Sequence, residues 1–198
     1  FTGRWVFWAG LAGVVVPYLL AIAGLSARIY IAERAPVSNM YESMVWLAIS
    51  LVSFALVFGA IYRSRLFLAG AAALGFITLV LADYLPIDAS ISPLVPVLKS
   101  AWLIYHVQTI VASYGAFALA GFLGHVFLFH FMATRQRTPE QREFARQLDL
   151  YSYRTMQVGV LLLTVGTILG GVWANASWGR YWGWDPKETW ALISLLGY

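Results

Sequence analysis

The chain has 198 residues, of which 61% are hydrophobic and only 11% charged, with a formal net charge of +4 and no cysteine. Soluble domains carry about a quarter charged residues, and a mean hydropathy of +0.73 puts this chain among integral membrane proteins. The lack of cysteine excludes disulfides, thiol catalysis, thiolate metal sites and a thioether link to this chain.

Uncharged runs occupy 5–27, 43–62, 66–82, 100–134, 155–179 and 189–198. A bilayer span takes about 20 apolar residues, so the first five runs predict transmembrane helices. The run 189–198 predicts the start of a sixth. The first run is long enough to span, unlike the core of a cleavable signal. The chain begins at Phe1 instead of Met, so upstream residues are expected. The run 100–134 exceeds a perpendicular span, and its helix is expected to tilt or project from the bilayer. Gly166 and Gly170 in the fifth run, and Ala71 and Gly75 in the third, have the small-residue spacing of close helix packing. The fold class is all-α: a polytopic transmembrane helix bundle with about five complete spans and part of a sixth, one domain over 1–198.

With the N-terminus inside, the inner segments hold eight Lys and Arg and the outer segments five. The dense basic loop 135–154 decides the orientation and is expected to be cytoplasmic. Within it Thr138, Pro139 and Gln141 read as N-cap, first helical position and capping-box partner, which predicts a short surface helix. Its arginines suit anionic lipid headgroups. The segments 34–44, 102–107 and the tryptophan-rich stretch 174–190 then share the outer face.

That stretch contains ASWGRYWGWDPKETW over 176–190, with tryptophans at 178, 182, 184 and 190. A belt of interfacial aromatics explains Trp5, Trp8 and Trp46. It explains 178–190 less well, because Gly179 and Gly183 separate the rings as a backbone closely approached by a ligand would require. Asp185, Pro186 and Glu188 read as a helix start, and Asn39 with Glu42 as another. Of the three histidines, only His106 falls at the outer end of a span. His125 lies about 28 Å further along the same helix, and the plain reading of His125 and His130 is a neutral imidazole bonded to a neighbour. Flat apolar rings, the cations Arg180 and Lys187 and an offset histidine suit a flat apolar ligand with anionic edges. Haem fits that description: rings to stack on, cations for its carboxylates, and His106 as an imidazole ligand to the iron. No phosphate-binding loop or HExxH motif is present.

The run WGRYWGWDPKETW resembles the WGxxWxWD signature of the haem-handling membrane proteins of cytochrome c maturation. Together with the flanking GGVWAN and PKETW, and with SNMYES and WLIYHV upstream in the same order, it resembles the CcsA/ResC type, the integral-membrane component of the System II cytochrome c synthase. The System I relatives share the WWD core and diverge after the Asp.

The resemblance implies that Trp178, Gly179, Trp182, Trp184 and Asp185 occupy haem-binding positions. It implies that His106 is the first of two external axial histidines to the iron of haem b. The second, and a transmembrane histidine, would lie beyond residue 198, so this chain resembles part of a longer protein. The implied activity is presentation of haem at the extracytoplasmic face for attachment to the CxxCH motif of apocytochrome c, with a CcsB/ResB-type membrane subunit as partner. Membrane lipid surrounds it, and nucleic acid is not expected. The implied location is the bacterial cytoplasmic membrane or the thylakoid membrane. Two other readings stay open: a haem exporter without ligation activity, and a structural subunit whose tryptophans are anchors.

Overall fold

The computed structural model describes residues 2–94, 96–134 and 138–198. Among them the helices in chain order are α1 (Thr2–Ala32), α2 (Met40–Tyr62), α3 (Arg65–Tyr84), α4 (Ala101–Ala133), α5 (Pro139–Trp178) and α6 (Pro186–Gly197), with a 3-10 turn at Pro96–Lys99. Helices α1 to α5 are long and apolar enough to cross a membrane. The chain is thus an all-α, multi-pass membrane protein.

Helix starts follow local chemistry. Thr138 and Gln141 form a capping box at α5, and Asp185 and Glu188 form another at α6, each with proline in the first turn. Asn39 caps α2 through its side chain, which accepts from the Glu42 N–H at 2.8 Å. Glu42 itself departs from the expected box. Its Oε2 accepts the N–H of Ser38, and its Oε1 accepts from Arg28. The Ser38 N–H and the Arg28 guanidinium take up the carboxylate in place of the Asn39 N–H.

The short surface helix expected in the basic loop is instead the first part of α5, which runs unbroken for 40 residues. After Pro139 in the first turn no further proline occurs before Pro186, and the first glycine is Gly159, so nothing ends the helix at the membrane boundary. Arg142, Arg146 and Arg154 therefore lie on α5, while Arg135 and Arg137 fall outside the described residues. The tryptophan loop is likewise shorter than 174–190: residues up to Trp178 belong to α5 and those from Pro186 to α6.

The core lies between α2, α3, α4 and α5. Phe67, Leu51, Leu119, Leu123 and Leu148 are fully buried there. Small residues set the approach of the helices, as the spacing predicted. A Cβ on Gly75 would stand 3.1 Å from Val52, and one on Gly115 3.0 Å from the Leu51 backbone nitrogen. The Trp46 indole donates to the Gln108 carbonyl at 3.0 Å. That bond ties the start of α2 to the start of α4, so both begin at the same end of the bundle.

Candidate functional site

Helices α4 and α5 pack antiparallel along a strip of bare backbone. A Cβ on Gly159 would lie 2.8 Å from the Phe117 ring, one on Gly166 2.6 Å from Ile110, and one on Gly170 2.7 Å from the His106 ring. Each step up α5 meets a step down α4. The strip brings the His106 imidazole flat against the α5 backbone, where its Nδ1 lies 2.7 Å from the Gly166 carbonyl oxygen. A carbonyl only accepts, so Nδ1 donates the hydrogen. In the neutral ring that fixes the tautomer and leaves the Nε2 lone pair free.

Beyond Gly170 the chain turns back over its own helix. Gly179 adopts φ 72°, and its N–H donates to the Asn175 carbonyl, which ends α5. A side chain at this left-handed position would be strained. The Tyr181 carbonyl then sits above Gly171, where a Cβ would come within 3.1 Å of it. Glu188 pins the loop from the other side. Its Oε2 accepts the Gly183 N–H at 2.6 Å and the Asp185 N–H at 3.3 Å. Between these anchors Trp184 is held at φ 57°. Such a conformation costs a non-glycine residue about 1–2 kcal/mol, and the loop sustains it through its caps.

The folded-back loop, the N-terminal half of α4, the C-terminal half of α5, and α6 enclose a cleft of about 810 Å³, within the range of small-molecule sites. His106, Tyr114 and Phe117 line it from α4, and Trp173 and Trp178 from α5. Trp182 closes it from the loop, and Lys187 and Tyr198 face it from α6. Tyr198 stacks on Phe117 with ring centroids 4.5 Å apart. Trp173 meets Trp178 edge to face at 4.7 Å, and Trp182 meets Trp184 edge to face at 5.8 Å. The Trp173 indole N–H is buried without an acceptor. The walls are therefore aromatic and aliphatic, with the His106 imidazole, the Lys187 ammonium and the Asp185 and Glu188 carboxylates among the polar groups.

Four of the six residues singled out in the sequence line this cleft: His106, Trp178, Trp182 and Asp185. Asp185 also caps α6, accepting the Glu188 N–H at 2.9 Å. Gly179 and Trp184 are not among the lining residues. Gly179 terminates α5, and Trp184 is 69% exposed, its ring turned against Trp182. Of the two loop cations Lys187 faces the cleft, whereas the Arg180 guanidinium lies across the place a Gly183 side chain would fill. His125 bonds its Nδ1 to the Gly121 carbonyl of its own helix at 2.7 Å. His130 Nε2 is 3.3 Å from the Gln141 carbonyl, with its ring edge on to Phe144. The sequence reading missed Tyr114, Phe117, Trp173 and Tyr198 as lining residues. The signal available for the first two was the Gly159, Gly166 and Gly170 stripe, which marks the face where α4 docks.

Residues 37–198 match the sequence model of the family described as cytochrome C assembly protein. The chain is 44% identical over 183 residues to protein NrfI of Wolinella succinogenes, covering 91% of this chain and 20% of NrfI. It is 36% identical over 221 residues to the cytochrome c biogenesis protein CcsA of Mesostigma viride, covering 94% of this chain and 70% of that protein. With CcsA of Prochlorococcus marinus it shares 35% identity over 234 residues, covering 98% of this chain and 73% of the relative. The chain thus spans a fifth of NrfI and somewhat over two thirds of these CcsA proteins. It belongs to the cytochrome c assembly protein family, as a cytochrome c biogenesis protein of the CcsA type.

Proposed function

We propose that the aromatic cleft holds haem b, with His106 Nε2 as an axial ligand to its iron, and offers it at the extracytoplasmic face for attachment to the CxxCH thiols of an apocytochrome c. The observation that carries this reading is the His106–Gly166 hydrogen bond at 2.7 Å. It orients the ring and presents a free lone pair to an aromatic cleft, the arrangement typical of a metal-bound imidazole. The fit of the remaining donors agrees. The cleft is large enough for a drug-sized ligand, its walls stack on flat rings, and Lys187 supplies a cation for a carboxylate edge.

Bound haem supplies the vinyl groups that react with thiols, and the substrate supplies the thiols, which suits a chain with no cysteine. The residues of this chain bind and orient. His106 holds the iron and Gly166 holds His106. Trp178 and Trp182 exclude water from the ring faces. The loop stays in place through Asp185 and Glu188. Because the chain covers only part of its relatives, a further axial histidine and a CcsB/ResB-type partner subunit belong to the same proposal, as does the System II pathway. The charge bias and the CcsA relatives support a bacterial or thylakoid membrane with the cleft facing away from the cytoplasm.

The test is His106→Gly in the full-length protein, which removes the ligand and leaves a gap of imidazole size. Cytochrome c formation should fall, the haem absorption spectrum should change, and free imidazole should restore part of both. His125→Gly, whose ring bonds to its own helix, should do neither. An active His106→Gly protein with an unaltered haem spectrum would overturn the assignment. Retained haem without product in a reconstituted reaction with apocytochrome would favour haem export alone.

A further inference from the structure

A second cavity, of about 570 Å³, opens at the same end of the bundle on the opposite side of α4. The α1–α2 linker and the α3–α4 linker form its walls. Hydrogen bonds hold the two linkers together. Arg28 Nη2 donates to the Ala89 carbonyl at 2.8 Å, and Asn39 Nδ2 to the Ser90 carbonyl at 3.3 Å. The Ser38 hydroxyl donates to the Ala35 carbonyl at 2.8 Å, folding the first linker into a compact turn. Ile31, Leu94, Leu98 and Ile104 make much of the lining apolar, and Arg34 and Lys99 add two cations.

The charges around Arg34 do not balance. Arg28 and Arg34 share one buried carboxylate, Glu42, which is 2% exposed. Both of its oxygens are already engaged: Oε1 accepts from Arg28 Nε and Nη2, each at 3.3 Å, and Oε2 from the Ser38 N–H at 2.9 Å. Arg34 reaches Oε1 only as an ion pair at 3.5 Å. Its Nε and Nη2 are buried and have no hydrogen-bond acceptor. A guanidinium does not lose its charge in proteins, and buried donors left without acceptors are costly. Glu33 also lines the cavity, but one carboxylate there faces two cations. One positive charge remains unanswered in a cavity whose walls are partly apolar and partly polar.

We propose that this cavity binds the phosphate of a phospholipid headgroup from the surrounding leaflet, with Arg34 as its principal ligand. Arg34 Nη1, the guanidinium nitrogen that is not closed off beside Glu42, supplies a charge-assisted donor to a phosphodiester oxygen. Lys99 contributes a second charge at the rim. The first methylenes of the lipid lie against Ile31, Leu94, Leu98 and Ile104. The position agrees, because α1 ends at Ala32 and α4 begins at Ala101, so the cavity sits where spans give way to headgroups. A bound lipid bridges the two linkers directly behind the helix that carries His106. This site stands independently of the haem reading.

Purified full-length protein, delipidated in neutral detergent, is titrated with dioleoylphosphatidylglycerol, and bound lipid is counted by native mass spectrometry. Wild type should show one tightly held lipid, which Arg34→Gln weakens at least tenfold. Arg142→Gln makes the same charge change at the other end of the bundle and should keep the lipid. Equal losses in the two variants would mean diffuse electrostatic attraction and overturn the site. Ile104→Trp fills the cavity from α4 without touching the guanidinium, and it should abolish the tight lipid even if Arg34→Gln proves too unstable to assay. Inorganic phosphate provides the other arm. If it displaces no lipid from wild type, the headgroup source stands; if it occupies the site and excludes lipid at millimolar concentration, the ligand is a free anion and the lipid assignment is wrong. Unchanged lipid retention in both Arg34→Gln and Ile104→Trp also refutes the proposal.

Discussion

Gly170 should tolerate an added methyl group poorly, because the His106 ring rests on it. An alanine Cβ there would stand 2.7 Å from Cε1 and 2.8 Å from Nδ1 of the ring. Carbon contacts settle at about 3.5–4.0 Å, so the ring must retreat by about 1 Å or the helices must part. A retreat of that size takes Nδ1 from 2.7 Å beyond the roughly 3.5 Å at which a hydrogen bond is lost. Overpacking costs about 1–3 kcal/mol and the lost hydrogen bond about 1 kcal/mol. Replacing a helical glycine by alanine returns about 1 kcal/mol. Gly170→Ala should therefore destabilise the protein by about 1–3 kcal/mol, read by tryptophan fluorescence during unfolding in mixed micelles. Gly124→Ala is the control: its Cβ would meet nothing within 4 Å, so it should be neutral or slightly stabilising. On the proposed function, Gly170→Ala should also alter the spectrum of bound haem. A variant as stable as wild type, with an unchanged spectrum, would mean that the ring does not depend on the bare backbone of α5.

Three further outcomes follow from the same geometry. Glu42→Gln removes the buried carboxylate that pairs with both Arg28 and Arg34, and loss of one partner of such a pair should cost on the order of 3 kcal/mol in unfolding free energy. Trp182→Ala should lower haem retention without reducing membrane insertion, and Trp184→Ala should do so less, because Trp182 lines the cleft and Trp184 only meets it edge to face; equal retention in wild type and both variants would leave the rings as anchors. Single cysteines at Ser90 and Gln141, introduced into a chain that has none, should label from opposite sides of the membrane with an impermeant maleimide, and labelling of both from the same side would refute the topology.

The spans were legible because charge is so sparse: each uncharged run became a helix, and Thr138 and Asp185 announced two starts. The end of α5 was harder to read. Gly179 looked like room for a ligand, whereas its left-handed φ and its bond to Asn175 make it a helix terminator. Both uses call for the same residue, and only the backbone angle separates them. The length of α5 was misjudged because amphipathic and apolar stretches of one helix look like two elements in a one-dimensional pattern. His106 falls near the start of α4, within the run read as a span, but its hydrogen bond to Gly166 is 60 residues distant in sequence and left no local sign. The sharing of Glu42 by two arginines was equally hidden, since Asn39 and Glu42 satisfy the capping pattern whether or not the carboxylate turns back to its own helix.

Helix α5 also has a mechanical side. Gly159, where Phe117 presses closest to the backbone, divides the helix into arms of about 20 residues, each about 30 Å long. A rigid tilt of such a rod about that contact, taken as the pivot, can be scaled by simple geometry. One end carries the capping box at Thr138 and the contacts of His130 with Gln141 and Phe144; the other carries the tryptophan loop. A tilt of about 5° about the pivot moves each end by about 2.5 Å, and moves Gly166, about 10 Å from the pivot, by nearly 1 Å. That smaller displacement is already enough to break the contact between the Gly166 carbonyl and His106. A rigid tilt that displaced the far tip of α5 would therefore reach the His106 contact scaled to the length of a single hydrogen bond.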